Sequence, residues 1–224
     1  MCVFPNINYV PNFVPLENGD QETLPKSPRQ MFSYVRRYGH VSDNFLDGIS
    51  NMWNLEQCIN GAIADYSNEG NNLERIFHLI EIWGGSAGRF FYFKNQPFNW
   101  GVIAPLYNIF VNACLDIHDT TPDSRQRVYN ACCDFKTGLN NIGYKYMGVA
   151  YITKHARFWL YRNLGENTLP IYDSTFSQNL TMEGNVATFN YLLRYWEYMI
   201  NQAAAVNVSL LALERQLFNY YQNN

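Results

Sequence analysis

From about residue 52 onward, apolar residues recur at three- and four-residue spacings, the pattern of helices that bury one face. Residues 52–65 (MWNLEQCINGAIAD) set Trp53, Cys58, Ile59 and Ile63 near one stripe. In the next segment, LERIFHLIEIW, Asn71 followed by Glu74 reads as a capping-box start and Gly84-Gly85 as the stop. Residues 102–117 are apolar at helical spacing, with Pro105 expected near the first turn. Thr121-Pro122 joins a cap to a proline at the first helical position and predicts a helix reaching about Leu139. A short turn around Asn140–Gly148 follows, then a helix from Val149 or Ala150 to Gly165. Two long amphipathic segments, 186–204 and 209–221, close the chain. Strand-like alternation is confined to the start of the chain and Arg89–Phe93.

Residues 1–28 carry five of the nine prolines. Proline fixes φ and removes a backbone donor, so this stretch is expected to be an extended arm. Its Phe4, Tyr9, Phe13 and Val14 would pack it on the body. The fold expected is therefore all-α: one helical domain over 29–224 with an extended Pro-rich arm over 1–28. No internal repeat or low-complexity tract is visible.

Composition adds two things. Aromatic residues make up 17% of the chain, enough either to fill a core or to leave rings exposed for stacking. Charge is uneven. The net is −3, yet Ser124–Gly165 holds seven bases (Arg125, Arg127, Lys136, Lys145, Lys154, Arg157, Arg162) and one acid, Asp134. That segment is +6 and the remainder −9. A polyanion would meet the block rather than the average; the alternative is a solvated helix face. The five cysteines (Cys2, Cys58, Cys114, Cys132, Cys133) match no zinc or iron–sulfur spacing. They read as reduced, mostly buried thiols of a cytoplasmic protein. No signal-peptide pattern and no membrane-length apolar run is present.

No P-loop, zinc-protease or serine-hydrolase motif occurs. His40, His78, His118 and His155 are scattered and read as packing or surface residues. Trp83-Gly-Gly-Ser-Ala-Gly-Arg89 has the look of a phosphate-cradling turn, although Gly84-Gly85 also serves as a plain helix stop. The hairpin around Asn140–Gly148 is more informative. A short turn between helices leaves free amides at the start of the second helix, and such amides bind phosphate. Basic residues on both limbs serve the same ligand. Lys154 is expected in the first turn of the second helix. There the positive helix end, Lys145 and Arg157 would disfavour its ammonium form and leave a nucleophilic amine. Asp173 is expected to cap the next short helix. If the two segments pack together, the carboxylate faces the amine and can take its proton. The same two residues also read as a surface lysine and a capping aspartate.

Taken together, the hairpin, a Thr-Lys in its second helix and an aspartate 19 residues beyond that lysine resemble the helix-hairpin-helix base-excision DNA glycosylases. Within them the chain is most similar to the 8-oxoguanine (OGG-like) branch and its compact bacterial members. Three blocks carry the resemblance: Trp83–Arg89, Ile152–Tyr161, and Pro170–Asp173 with a closing Leu213–Phe218. It extends from roughly Ile80 to the C-terminus.

The resemblance implies that Lys154 attacks C1′ of an extruded nucleotide, a Schiff base forms, and β-elimination cuts the strand. Asp173 would activate the lysine. Lys145, Gly148, Thr153 and Arg157 would contact DNA, and Trp83, Phe158, Phe218 and Tyr220 would supply a base pocket or wedge, the alternative being ordinary core packing. No metal or organic cofactor is implied beyond a monovalent cation on the hairpin carbonyls. The implied partner is DNA bearing a damaged or modified base, the implied state a monomer, and the implied location the cytoplasm, with the nucleoid. Other readings are a glycosylase for a different modified base and a non-catalytic DNA-binding or interaction module. In place of the usual two glycines around one apolar residue before Thr-Lys, this chain has Gly148 alone. No iron–sulfur cysteines follow the aspartate.

Overall fold

The computed structural model describes residues 47, 49, 52–67, 72–84, 98–181 and 187–223. The expected arm over 1–28, the Gly85–Arg89 part of the glycine-rich stretch, the capping Asn71 and the strand at Arg89–Phe93 lie outside them. The described residues form eight α-helices and no strand: α1 (Met52–Ala64), α2 (Leu73–Trp83), α3 (Trp100–Leu115), α4 (Pro122–Asn141), α5 (Val149–Leu164), the single turn α6 (Ser174–Phe176), α7 (Phe189–Val206) and α8 (Leu210–Asn223). A short tight turn over Gly165–Asn167 follows α5, and a wide turn over Ser177–Thr181 extends α6.

The helix boundaries follow capping chemistry. Thr121 accepts a hydrogen bond from the Ser124 amide and Pro122 occupies the first helical position, as the Thr-Pro pair predicts. The start of α3 departs from expectation. It begins at Trp100, so Pro105 is the sixth helical residue rather than part of the first turn. Proline there cannot serve the Gly101 carbonyl. Both residues are exposed, so water can serve it instead.

Helix α5 is the organising element. It packs against α1, α2, α3 and α4. Tyr151, Ile152, Thr153 and every residue from His155 to Leu160 are buried. A helix with neighbours on most sides needs apolar residues all round, which its sequence supplies. Helix α4 joins it through a seven-residue turn, packs also on α3 and α7, and α7 packs on α8.

The core is built around Tyr107 of α3. Its ring lies 5.0 Å from Phe77, 5.2 Å from His155 and 5.6 Å from Phe135. Its hydroxyl accepts from Trp159 Nε1 at 2.8 Å and shares a 2.7 Å hydrogen bond with His155 Nδ1. His155 Nε2 in turn meets Glu81 Oε1 at 2.9 Å. All four side chains are fully buried, and buried polar groups survive only when partnered in this way. Burial holds the His155 imidazole below its ordinary value, although Glu81 pulls the other way. Among the described residues most aromatic side chains are buried or half-buried in the core, and the large rings left exposed are Tyr146 and Tyr220. Cys114 and Cys132 are buried free thiols, Cys58 and Cys133 half-buried ones. No helix among the described residues is long and apolar enough to cross a membrane.

Candidate functional site

The residues after α5 run back along that helix toward its start. Thr168 donates to the Arg157 carbonyl at 2.8 Å. Farther along, the Tyr172 amide donates to Thr153 Oγ1 at 3.1 Å. Thr153 and Tyr172 are the residues immediately before Lys154 and Asp173, so this second bond brings the lysine and the aspartate to one place. Thr153 is 1% exposed and also donates to the Val149 carbonyl at 2.9 Å. It therefore clips the two segments together from inside the fold, rather than contacting DNA as the sequence led us to expect.

Asp173 caps α6: one carboxylate oxygen accepts from the Thr175 and Phe176 amides at 3.0 and 3.3 Å. Burial raises the proton affinity of this carboxyl, and the Lys154 ammonium is the strongest influence drawing it back down. A capped aspartate beside a lysine, less acidic than a free one, can accept a proton from it.

The surroundings of Lys154 correct one expectation. It is the sixth residue of α5, in the second turn, where the positive helix end has faded. Its ammonium donates to the Gly84 carbonyl at 3.1 Å and lies 4.8 Å from the centre of the Tyr151 ring. A carbonyl, a ring face and a carboxylate all favour positive charge on the nitrogen. Neighbouring bases do not supply the opposite push: Lys145 is exposed in the turn and Arg157 is committed elsewhere. A reactive amine here depends on a proton acceptor, and Asp173 is placed to be one.

Of the residues expected to contact DNA, Lys145 and Gly148 are exposed on the hairpin turn, next to Tyr146, which is 50% exposed. Gly148 caps α5 in extended geometry with no side-chain cap; its carbonyl takes the Tyr151 and Ile152 amides, so of the first turn only the Val149 and Ala150 amides could meet a ligand. Arg157 does not belong with them. It is 2% exposed, and its guanidinium donates to Glu56 Oε1 at 2.7 Å while stacking 4.6 Å from the Phe158 ring. One of the seven bases of the +6 block is thus neutralised inside the fold. Lys136 reaches onto the hairpin turn and donates to the Lys145 carbonyl at 2.7 Å in an exposed bond, so one of the hairpin carbonyls meets an ammonium group.

The candidate aromatics separate as well. Phe158 is fully buried and packs edge-on against Trp83 at 5.1 Å, so it is core and not wedge. Trp83 is half-buried at the end of α2, and Phe218 is half-buried against Phe176 at 6.3 Å. Tyr220, 43% exposed, is the one of the four whose ring is largely open to solvent.

Three further residues were not singled out from the sequence. Tyr151 carries the lysine on its ring face and packs so closely on Gly84 that a Cβ there would fall 2.9 Å from Tyr151 Cε1. This contact, rather than backbone geometry, is why residue 84 must be small. Glu81 enters through the buried His155 hydrogen bond. Glu214 of α8 accepts the Ile171 amide at 2.6 Å. At the same corner Glu81 Oε2, Trp83 Nε1 and Tyr151 Oη are buried without a hydrogen-bond partner among the described residues. An apolar residue offers no signal for such roles; the acids could have been suspected only as charges lying in otherwise buried positions.

Among the described residues no group of three or more His, Cys, Asp or Glu side chains is placed to hold a metal ion. The chain matches no protein-family model, no curated protein and no solved structure, so any functional reading rests on the geometry of Lys154, Asp173 and the hairpin beside them.

Proposed function

We propose that this protein is a DNA N-glycosylase with an associated lyase step, acting on an oxidised or otherwise modified base such as 8-oxoguanine. The observation that carries the reading is the Thr153–Tyr172 hydrogen bond, which brings Lys154 into the field of Asp173 one and a half turns from the exposed Gly148 cap of α5. The hairpin turn would seat a backbone phosphate on the first amides of α5, with Lys145 adding charge. The target nucleotide must leave the stack to reach a half-buried lysine.

Asp173 would take a proton from the Lys154 ammonium, which leaves the Gly84 carbonyl and the Tyr151 ring as it becomes neutral. The amine nitrogen then attacks C1′ and the C1′–N bond breaks, its electron pair departing with the base. The C1′–O4′ bond then breaks, O4′ takes up the proton that Nζ gives up, and the nitrogen lone pair closes a Schiff base between Nζ and C1′. Loss of a C2′ proton and of the 3′ phosphate completes β-elimination. The negative carboxylate also stabilises positive charge developing on the sugar.

Borohydride reduces such a Schiff base to a stable link. Incubating the protein with duplex containing 8-oxoguanine, and separately an abasic site, should yield a covalent adduct. Lys154→Gln should give none. Asp173→Asn should slow trapping by roughly 10²- to 10⁴-fold, the usual contribution of a positioned acid or base. No adduct with the wild type, or an equal one with Lys154→Gln, would remove the lysine from this role. An adduct on the abasic site alone would move the target to a different modified base.

A further inference from the structure

The turn that presents Asp173 is held by side chains from three different helices. Trp196 Nε1 donates to the Pro170 carbonyl at 2.9 Å, and Tyr195 Oη to the Ile171 carbonyl at 2.8 Å, both from α7. Thr153 of α5 accepts the Tyr172 amide. Glu214 of α8 accepts the Ile171 amide at 2.6 Å, the shortest of the four contacts. Three of these groups are neutral. Glu214 is a carboxylate only 6% exposed, in a position where a neutral acceptor would avoid the cost of burying charge. A buried acceptor is kept where it meets a donor, and the donor that Glu214 meets is the Ile171 amide.

We infer that Glu214 is a positioning residue for Asp173: its buried carboxylate locks the Ile171 amide and so fixes the angle at which the next turn offers Asp173 to Lys154. This rests on the glycosylase reading above for its catalytic consequence, but not for the lock itself. Glu214 reaches neither the lysine nor a substrate; it acts through two residues of backbone. The charged and titratable groups around it are Arg157 of α5, Arg215 beside it on α8, Asp173 of the turn and Tyr195 of α7. Both arginines are anchored on Glu56 of α1, so α1 and α5 brace the same corner.

Two substitutions separate the lock from simple packing. Glu214→Leu removes the acceptor at similar volume; Glu214→Gln keeps an acceptor and removes the charge. The trapping rate on abasic-site duplex, the affinity for the same duplex without borohydride, and the exchange rate of the Ile171 amide would be measured for each. Glu214→Leu should slow trapping by about 10²-fold, as a misplaced catalytic group does, with affinity within about threefold of wild type. Its Ile171 amide should exchange at least about tenfold faster, and Glu214→Gln should recover most of both losses. Trapping by Glu214→Leu within about threefold of wild type, unchanged exchange at Ile171, or affinity falling in step with rate would overturn the assignment. If Glu214→Leu does not fold, Glu214→Ser, whose hydroxyl is too short to reach the Ile171 amide, is put through the same three measurements, and the same results overturn the assignment. If the wild type forms no adduct, the glycosylase reading fails, and exchange at Ile171 still decides whether Glu214 locks the turn.

Discussion

Lys154 was singled out as a base expected at a helix start, a position that the structure moves to the second turn of α5. Asp173 was singled out as an aspartate standing where a short helix needs a cap, and there it does cap α6. Their neighbours Tyr151 and Glu214 obey no such rule, and Gly84, legible as a helix stop, gives no sign of its contact with Tyr151, since what matters about all three is a distant segment. Glu214 offers a pH test of its buried state. Burial raises its carboxyl from the ordinary 4.5 to about 7, against the opposing pull of Arg157. A carboxyl raised on folding binds its proton more tightly in the folded state. Its contribution to stability is therefore greatest below pH 4.5 and is lost as pH rises toward 7. Relative to Glu214→Gln, the wild type should lose about 3 kcal/mol between those limits and nothing further above them. Urea unfolding of both proteins across this range measures the difference; a gap that does not change with pH would mean that Glu214 titrates as an ordinary exposed acid.

The hairpin of α4 and α5 was foreseen from Thr121-Pro122 at one end and a glycine-containing turn at the other, and its limbs begin and end within a few residues of expectation. The role of its glycines was less visible. Gly143, not Gly148, is the residue the backbone requires. It has φ of 91° and closes α4. Its amide bonds to the Asn140 carbonyl at 3.1 Å, the Tyr144 amide bonds to the Leu139 carbonyl at 2.8 Å, and the Tyr144 ring is buried beneath. This is a Schellman termination. Gly148 has φ of −85°, and a Cβ there would meet nothing within 4 Å. Gly143→Ala should therefore destabilise the protein by about 1–2 kcal/mol, read from the urea midpoint. Gly148→Ser should leave stability within about 0.5 kcal/mol, since serine is at least as good a cap. If the hairpin seats a phosphate, the same Gly148→Ser protein should bind duplex DNA more weakly. Unchanged binding would argue that the start of α5 is not where the backbone sits.

Two polar systems tie the helices together: the buried Glu81–His155–Tyr107–Trp159 chain, and Glu56 with two arginines, of which Arg215 is partly exposed. Glu56 lies on α1, Arg157 on α5 and Arg215 on α8, with Glu56 Oε1 accepting at 2.7 and 2.6 Å. Burial alone would raise the Glu56 carboxyl, but the two guanidinium groups outweigh it and leave the carboxyl below its ordinary value. Glu56→Ala would strand buried positive charge and should cost about 3–5 kcal/mol in urea unfolding. A loss under about 1 kcal/mol would show that water reaches the pair.

Helical class, the hairpin, the caps at Thr121 and Asp173, and the candidate lysine could all be read along the chain, because periodicity and capping are matters of a few consecutive residues. Which charges are spent inside the fold could not. Arg157 meets a partner 101 positions away, His155 one 74 away, and Arg215 one 159 away. No local pattern encodes such pairings. They form because packing four helices around α5 removes these groups from water and leaves each one only the partner that the fold brings within reach. The same packing turned Thr153 from an expected DNA contact into the clip that joins Lys154 to Asp173.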